Sequence, residues 1–256
     1  AYEIRNCDWS SNVCSSDLAE LDRALASPST LSRFENAADR SWAWRIHEAL
    51  VEDFIASFET PPEELILDFD ATDDAVHGQQ EGRFFHGYYD HYCFLPLYVF
   101  CGERLLVSYL RPSKIDGAKH AWAILALLVK RFRQAWPGVR ISFRGDSGFC
   151  RHRMLDWCER KGVGYIVGLA RNARLNGLAA RWMEAAAQGF EATGAKQRLF
   201  GEFRYAAASW KASRRVIARI EHGAAKGLKG GANPRYVVTN LEGGGQDLYE
   251  TLYCAR

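Results

Sequence analysis

Apolar residues recur along this chain with two periods, and the switches between them mark its elements. From residue 19 to 60 the spacing is helical. Leu21, Leu25, Leu31 and Phe34 are followed by Trp42, Ile46, Leu50, Phe54 and Phe58, which fall every fourth position on one helix face. Ser29 and Thr30 after Pro28 offer a helix start, and Pro61-Pro62 ends the run. Leu65-Ile-Leu-Asp-Phe-Asp70 then reads as a short apolar strand with acids entering on one side. A strand region rich in Phe, Tyr and Val spans Phe84 to Phe100, and Gly102-Glu103 supplies a hairpin turn into Arg104–Leu110. Three strands joined by short connections imply an antiparallel meander.

The period changes again after Gly117. Ala121, Leu125, Leu128, Phe132 and Ala135 fit one helix face, closed by Pro137-Gly138. Val139, Ile141 and Phe143 alternate as a strand. Cys150, Met154, Trp157 and Cys158 predict a further helix, stopped at Gly162, and Val163–Leu169 a further strand. The predicted order is β-β-β-α-β-α-β, an α/β chain with a mixed sheet and helices against it. Residues 170–233 are less regular, basic and rich in Ala and Gly, which suggests an inserted subdomain. Tyr236–Leu241 is strand-like again, and Asp247–Arg256 begins a helix. The expected organisation is a helical region over 19–62, a core over 63–170, an insertion over 171–234 and a return to the core over 235–256. Residues 1–18 mix Ser, Asp and Cys without a period. They resemble translated adapter DNA and are set aside as a non-native scar.

Charge sharpens this picture. The net charge is only +2, yet residues 104–235 hold 26 of the 33 Lys and Arg and 8 of the 31 Asp and Glu. A basic stretch beside an acidic one fits a polyanion partner, or a solvated face with its counter-charge folded against it. The seven cysteines form no Cys-x-x-Cys pair, so reduced structural thiols are expected rather than zinc or disulfides. No run is apolar enough for a membrane span and no secretory signal is evident, so a cytoplasmic protein is expected.

Two places could carry chemistry. Asp68 and Asp70 lie two apart on a strand and share a face, opposite Leu65, Leu67 and Phe69. They are either metal ligands, which would compensate a carboxylate in an apolar strand, or solvated acids of an edge strand. Asp146, in Phe143-Arg-Gly-Asp-Ser-Gly-Phe149, sits where a strand opens into a helix. There it is either a site residue or a helix cap. If their strands are neighbours, Asp70 and Asp146 can bridge two divalent ions for an in-line displacement at phosphorus. Scattered His77, His86, His91, His120 and His152 lack zinc-hydrolase spacing, and the Gly-rich runs lack the Lys-Ser/Thr of a phosphate loop.

Several motifs together resemble a known family. Leu65-Ile-Leu-Asp-Phe-Asp-Ala-Thr-Asp-Asp74, His77-Gly-Gln-Gln-Glu81 and Phe85-His-Gly-Tyr-Tyr-Asp90 are similar to the insertion-sequence transposases of the DDE group 1 type. So are Arg144-Gly-Asp-Ser-Gly-Phe149, Tyr165-Ile-Val-Gly-Leu-Ala-Arg-Asn172 and Tyr236-Val-Val-Thr-Asn-Leu241. The resemblance implies an RNase H-like fold and a bacterial, nucleoid-associated DNA transposase. It implies catalytic, metal-binding Asp70 and Asp146, with Asp68 the lesser claimant. Mg²⁺ or Mn²⁺, two ions, would be the cofactor. Double-stranded DNA, transposon ends and target, would be the partner of a homo-oligomer in a synaptic complex. The family's third carboxylate follows the pattern Tyr-x2-Arg-x3-Glu. Tyr253 and Arg256 fit its opening, which would put the Glu four residues past Arg256 and leave this chain truncated and inactive. Glu250 lies off that register. Arg171, Arg174, Arg181, Arg214, Arg215 and Arg219 become candidate phosphate contacts. Trp182 and Trp210 would be either core aromatics or platforms for an unpaired base. A structure-selective nuclease and a non-catalytic DNA-binding remnant are the rival expectations.

Overall fold

A computed structural model describes residues 26–37, 39–223 and 231–255. The expectations for residues 1–18, Leu21, Leu25 and Arg256 lie outside the described residues. The chain divides into two compact units, residues 1–49 and 50–256.

The first unit holds α1 (Pro28–Asn36) and the start of α2 (Arg40–Ala56). Asp39 begins α2. Its carboxylate accepts the free N–H groups of Ser41 (2.8 Å) and Trp42 (2.9 Å). Those bonds favour the ionised acid and hold its pKa below the ordinary value.

The second unit is built on an eight-stranded sheet. In chain order its elements are β1 (Glu64–Ala71), β2 (Asp74–Ala75), β3 (Phe84–His86), β4 (His91–Phe94), β5 (Leu97–Cys101) and β6 (Arg104–Tyr109). Then come α3 (Ala121–Ala135), β7 (Arg140–Gly145), α4 (His152–Lys161), β8 (Gly164–Leu169) and α5 (Ala173–Thr193). Last are β9 (Gln197–Tyr205), β10 (Arg214–Gly223), β11 (Gly231–Thr239) and α6 (Gly245–Asp247), which passes into π-helical turns over Leu248–Tyr253. The sheet order is β6-β5-β1-β7-β8-β11-β10-β9. β6, β5 and β1 form an antiparallel meander, while β1, β7 and β8 run parallel. A meander feeding parallel central strands is the RNase H-like arrangement, as expected from the sequence.

Alternation explains the layering. Leu65, Leu67 and Phe69 of β1 are buried, as are Ile141 and Phe143 of β7 and Leu125, Leu128 and Phe132 of α3. Phe69 meets Phe143 edge to face at 5.1 Å and Phe149 at 6.1 Å. This cluster lies beneath the carboxyl ends of β1 and β7 and gives them a rigid base.

Two regions differ from the sequence reading. The stretch Phe84–Phe100 is not one strand region of the main sheet. Only β5 joins that sheet, while β2, β4 and β3 form a separate three-stranded sheet. Pro96 lies between β4 and β5 and lacks the N–H that a continuous ladder needs. The loop Gly87–Asp90 folds β3 back on β4, with Asp90 at φ 58°. The segment read as irregular, 170–233, contains the 21-residue α5 and the long strands β9 and β10, which continue the main sheet through β11. Ala is the best helix former, so the composition that suggested irregularity also suits α5.

Candidate active site

β1 and β7 pair in parallel with Asp68 opposite Arg144 and Phe69 opposite Gly145. The next positions along are Asp70 and Asp146, so the register carries both acids to the same end of adjacent strands, which lie about 5 Å apart. Asp146 keeps an extended backbone (φ −76°, ψ −175°), which continues the strand alternation for one more residue. Its side chain accepts the Gly148 N–H at 2.8 Å and caps the 3₁₀ turn Ser147–Phe149. Phe149 anchors that turn in the core at 1% exposure. Asp146 is thus both a cap and a site candidate. Its side chain is aimed by the turn it starts.

Asp146 lines a cleft together with Ala71, Gly117, Gly148 and Phe149, and with His86, Tyr88 and Tyr89 of the β3–β4 hairpin. Asp70 precedes the Ala71 wall and is exposed. Burial raises the pKa of the Tyr89 phenol, helped by the charges of Asp73, Tyr88 and Asp70, which puts Asp70 within electrostatic reach of the aromatic wall. Among the described residues, no group of three or more His, Cys, Asp or Glu gathers as a metal cage. Two carboxylates at a strand end are a hard oxygen donor set, the kind Mg²⁺ takes through one or two acids while keeping waters.

Asp68, expected as an additional ligand, has another occupation. Arg144 Nε donates to its Oδ1 at 2.8 Å, and Arg144 Nη2 donates to its Oδ2. Arg144 Nη1 donates to the Leu252 carbonyl at 2.5 Å. Tyr253 does reach the site. A Cβ placed on Gly168 would lie 2.7 Å from both the Tyr253 hydroxyl and the Ser147 nitrogen, so these groups converge over the bare β8 backbone. Glu250 pairs with Arg198 at 3.5 Å and accepts from Gln246.

The six candidate phosphate contacts separate into two sets. Arg171, Arg174 and Arg181 are exposed, Arg174 over the Tyr205 ring (5.5 Å) and donating to the Ala206 carbonyl (3.1 Å), and Arg181 over Trp182 (3.8 Å). Arg214 is instead buried, bonded to Asp156 at 2.5 Å and to Glu159 at 2.6 Å, so its expected DNA role is corrected to an internal one. Arg215 is held by Glu202 and by the carbonyls of Leu241 and Gly243, and Arg219 by Glu221, with the Tyr249 ring 5.4 Å away. Trp182 lies against Gly201, where a side chain would meet its ring, and Trp210 packs edge to face on Tyr205. Both are packing residues here. Cys93, Cys101, Cys150, Cys158 and Cys254 are free thiols. Burial pushes Cys101 and Cys150 up to about 11 and Cys158 to about 12, which keeps them protonated and unreactive at neutral pH.

Sequence reasoning missed Arg144, Gly168 and the aromatic wall. Arg144 and the wall lie inside the quoted motifs, but a strand Arg reads as a surface charge until its partners are seen.

The family profile described as transposase DDE domain group 1 matches residues 9–256. The chain belongs to this transposase family. The match begins within the segment 1–18 that was set aside. No curated protein matches. Among solved structures, the chain is similar to a cryo-EM structure of a piggyBac transposase synaptic complex with hairpin DNA, at 11% identity and a TM-score of 0.43. That similarity covers 86% of this chain and 41% of the other, so this transposase chain spans about two-fifths of that protein's length. Transposases of the DDE type act with divalent metal ions, and the oxygen donors Asp70 and Asp146 suit such ions. No described helix is long and apolar enough to cross a membrane.

Proposed function

We propose that this chain is the catalytic core of a DNA transposase that cleaves strands at transposon ends and joins them to target DNA, with Asp70 and Asp146 as its metal-binding carboxylates. The observation that carries this reading is the β1–β7 register, which brings two acids 76 positions apart in sequence to the same end of neighbouring strands. Two Mg²⁺ or Mn²⁺ ions, when bound, would supply Lewis-acid activation of the attacking and leaving oxygens. The chain's own residues do the rest. The Gly148 N–H orients Asp146, the Phe69–Phe143–Phe149 cluster keeps the strand ends rigid, and the Asp68–Arg144 pair keeps Asp68 out of the donor set. Arg171, Arg174 and Arg181 would contact phosphates of double-stranded DNA, in a homo-oligomeric synaptic complex.

The test is Asp70→Asn and Asp146→Asn in the full gene product, assayed for cleavage and strand transfer. Each change is expected to lower both by more than about a hundredfold, beyond the effect of residues that only orient a ligand. Unchanged melting temperature and DNA affinity would show that the fold persists. Cleavage at the unmodified rate in either variant would end this assignment. Cleavage without strand transfer in the unmodified protein would favour a nuclease.

A further inference from the structure

We infer that Arg144 is a positioning residue that clamps the C-terminal turns, and Tyr253 with them, against the strand ends that carry Asp70 and Asp146. The inference rests on the metal-carboxylate reading above and adds how that site is assembled.

Arg144 lies on β7 two residues before Asp146, and its side chain is 10% exposed. In the strand register it stands opposite Asp68, one step below the two site carboxylates. Its guanidinium makes three bonds to two different segments. Two go to the Asp68 carboxylate on β1, and the third goes to the Leu252 carbonyl in the π-helical turns, at 2.5 Å. Together with its own strand, Arg144 therefore ties β1, β7 and the C-terminal turns at one point.

The third bond explains why the residue is arginine. The Leu252 carbonyl accepts this bond from a side chain of the sheet, 108 positions away in sequence. A lysine ammonium could pair with Asp68, but it lacks the planar fork that reaches two acceptors on one side and a third on the other. The residue after Leu252 is Tyr253, whose hydroxyl and the Asp146–Ser147 backbone both lie close over Gly168. Holding Leu252 thus sets where Tyr253 enters the site. A π-helical stretch has looser hydrogen bonding than an α-helix and is often found at functional sites. An outside clamp would give it one position.

The test uses full-length protein with two variants. Arg144→Met alone removes the cation from the part-buried Asp68 carboxylate and can fail to fold. The pair Asp68→Leu with Arg144→Met removes both charges and keeps an apolar contact, a replacement that folded proteins tolerate. For the double variant, amide hydrogen exchange over residues 248–255 is expected to rise at least tenfold, while β1 and β7 amides stay protected. Its cleavage rate at saturating metal is expected to fall at least tenfold with DNA affinity unchanged. Arg144→Lys is expected to share both effects in weaker form. Exchange over 248–255 equal to that of the unmodified protein would overturn the clamp, as would a double variant that cleaves at the unmodified rate. The exchange readout needs no catalysis. If Asp70→Asn and Asp146→Asn leave cleavage intact while 248–255 still loosens, the metal reading fails and the clamp stands.

Discussion

Gly168 shows how much the site depends on one absent side chain. A methyl group there would lie 2.7 Å from the Ser147 nitrogen and the Tyr253 hydroxyl and 3.1 Å from the Asp146 carbonyl carbon. Two of these are backbone atoms of the turn that aims Asp146, so that turn has to move. Gly168→Ala is expected to cost about 1–3 kcal/mol, as overpacking does, and to reduce cleavage more than stability alone explains. Thermal melting and a cleavage assay check it together; wild-type values in both would contradict the close approach. The sequence held part of this detail. As a turn cap and candidate, Asp146 was legible, because Arg-Gly-Asp-Ser-Gly-Phe follows an alternating strand and offers a cap residue with glycines around it. Asp70 could not be separated from Asp68 by period alone, since a strand repeats every two residues. On the proposed reading the partner separates them, because Arg144 holds Asp68 from the neighbouring strand. That contact spans 76 positions, so no local pattern could display it.

At the scale of elements, α4 is tied to β10 by a charge cluster around the buried Arg214. Arg214 of β10 is 4% exposed and bonds Asp156 and Glu159 of α4, while the Tyr165 hydroxyl also donates to Glu159 at 2.7 Å. Burial by itself would raise the Glu159 pKa, but the bonds from Arg214 and Tyr165 outweigh it and hold it below the ordinary value. The linkage follows. A carboxylate with a lowered folded pKa adds stability above its unfolded pKa, and that stability is lost as pH falls through the folded value. Arg214→Leu leaves Asp156 and the solvent-exposed Glu159 without their shared cation and is expected to cost about 1–3 kcal/mol in urea unfolding at neutral pH. The loss is expected to shrink as pH falls through the lowered folded pKa of Glu159. A pH-independent loss would contradict the ion-pair account. Elements with a clear period, β1, α3, β7, α4 and β8, were legible to within a few residues. The β2–β4–β3 sheet was not, because its separation from the main sheet depends on Pro96 and the Gly87–Asp90 loop rather than on hydrophobicity. Nor was α5, whose Ala-rich face offers few large apolar residues to mark a period.

For the molecule as a whole, the charge asymmetry in the sequence overstated the surface available to DNA. Of six arginines singled out, Arg214, Arg215 and Arg219 are held by acids or carbonyls of the chain itself, Arg174 is exposed but donates to the Ala206 carbonyl, and Arg171 and Arg181 stay exposed. A count of charges cannot see which ones face inward. What the sequence did convey was the order of strands, and that order makes β1 and β7 neighbours. The whole functional reading depends on those neighbours presenting Asp70 and Asp146 to the same ions. The most direct measurement is anomalous X-ray diffraction from crystals of the full protein soaked in Mn²⁺. The expected result is anomalous density touching carboxylate oxygens of both Asp70 and Asp146, and absent from an Asp70→Asn crystal. Density elsewhere on the molecule, with none between these two side chains, would contradict it.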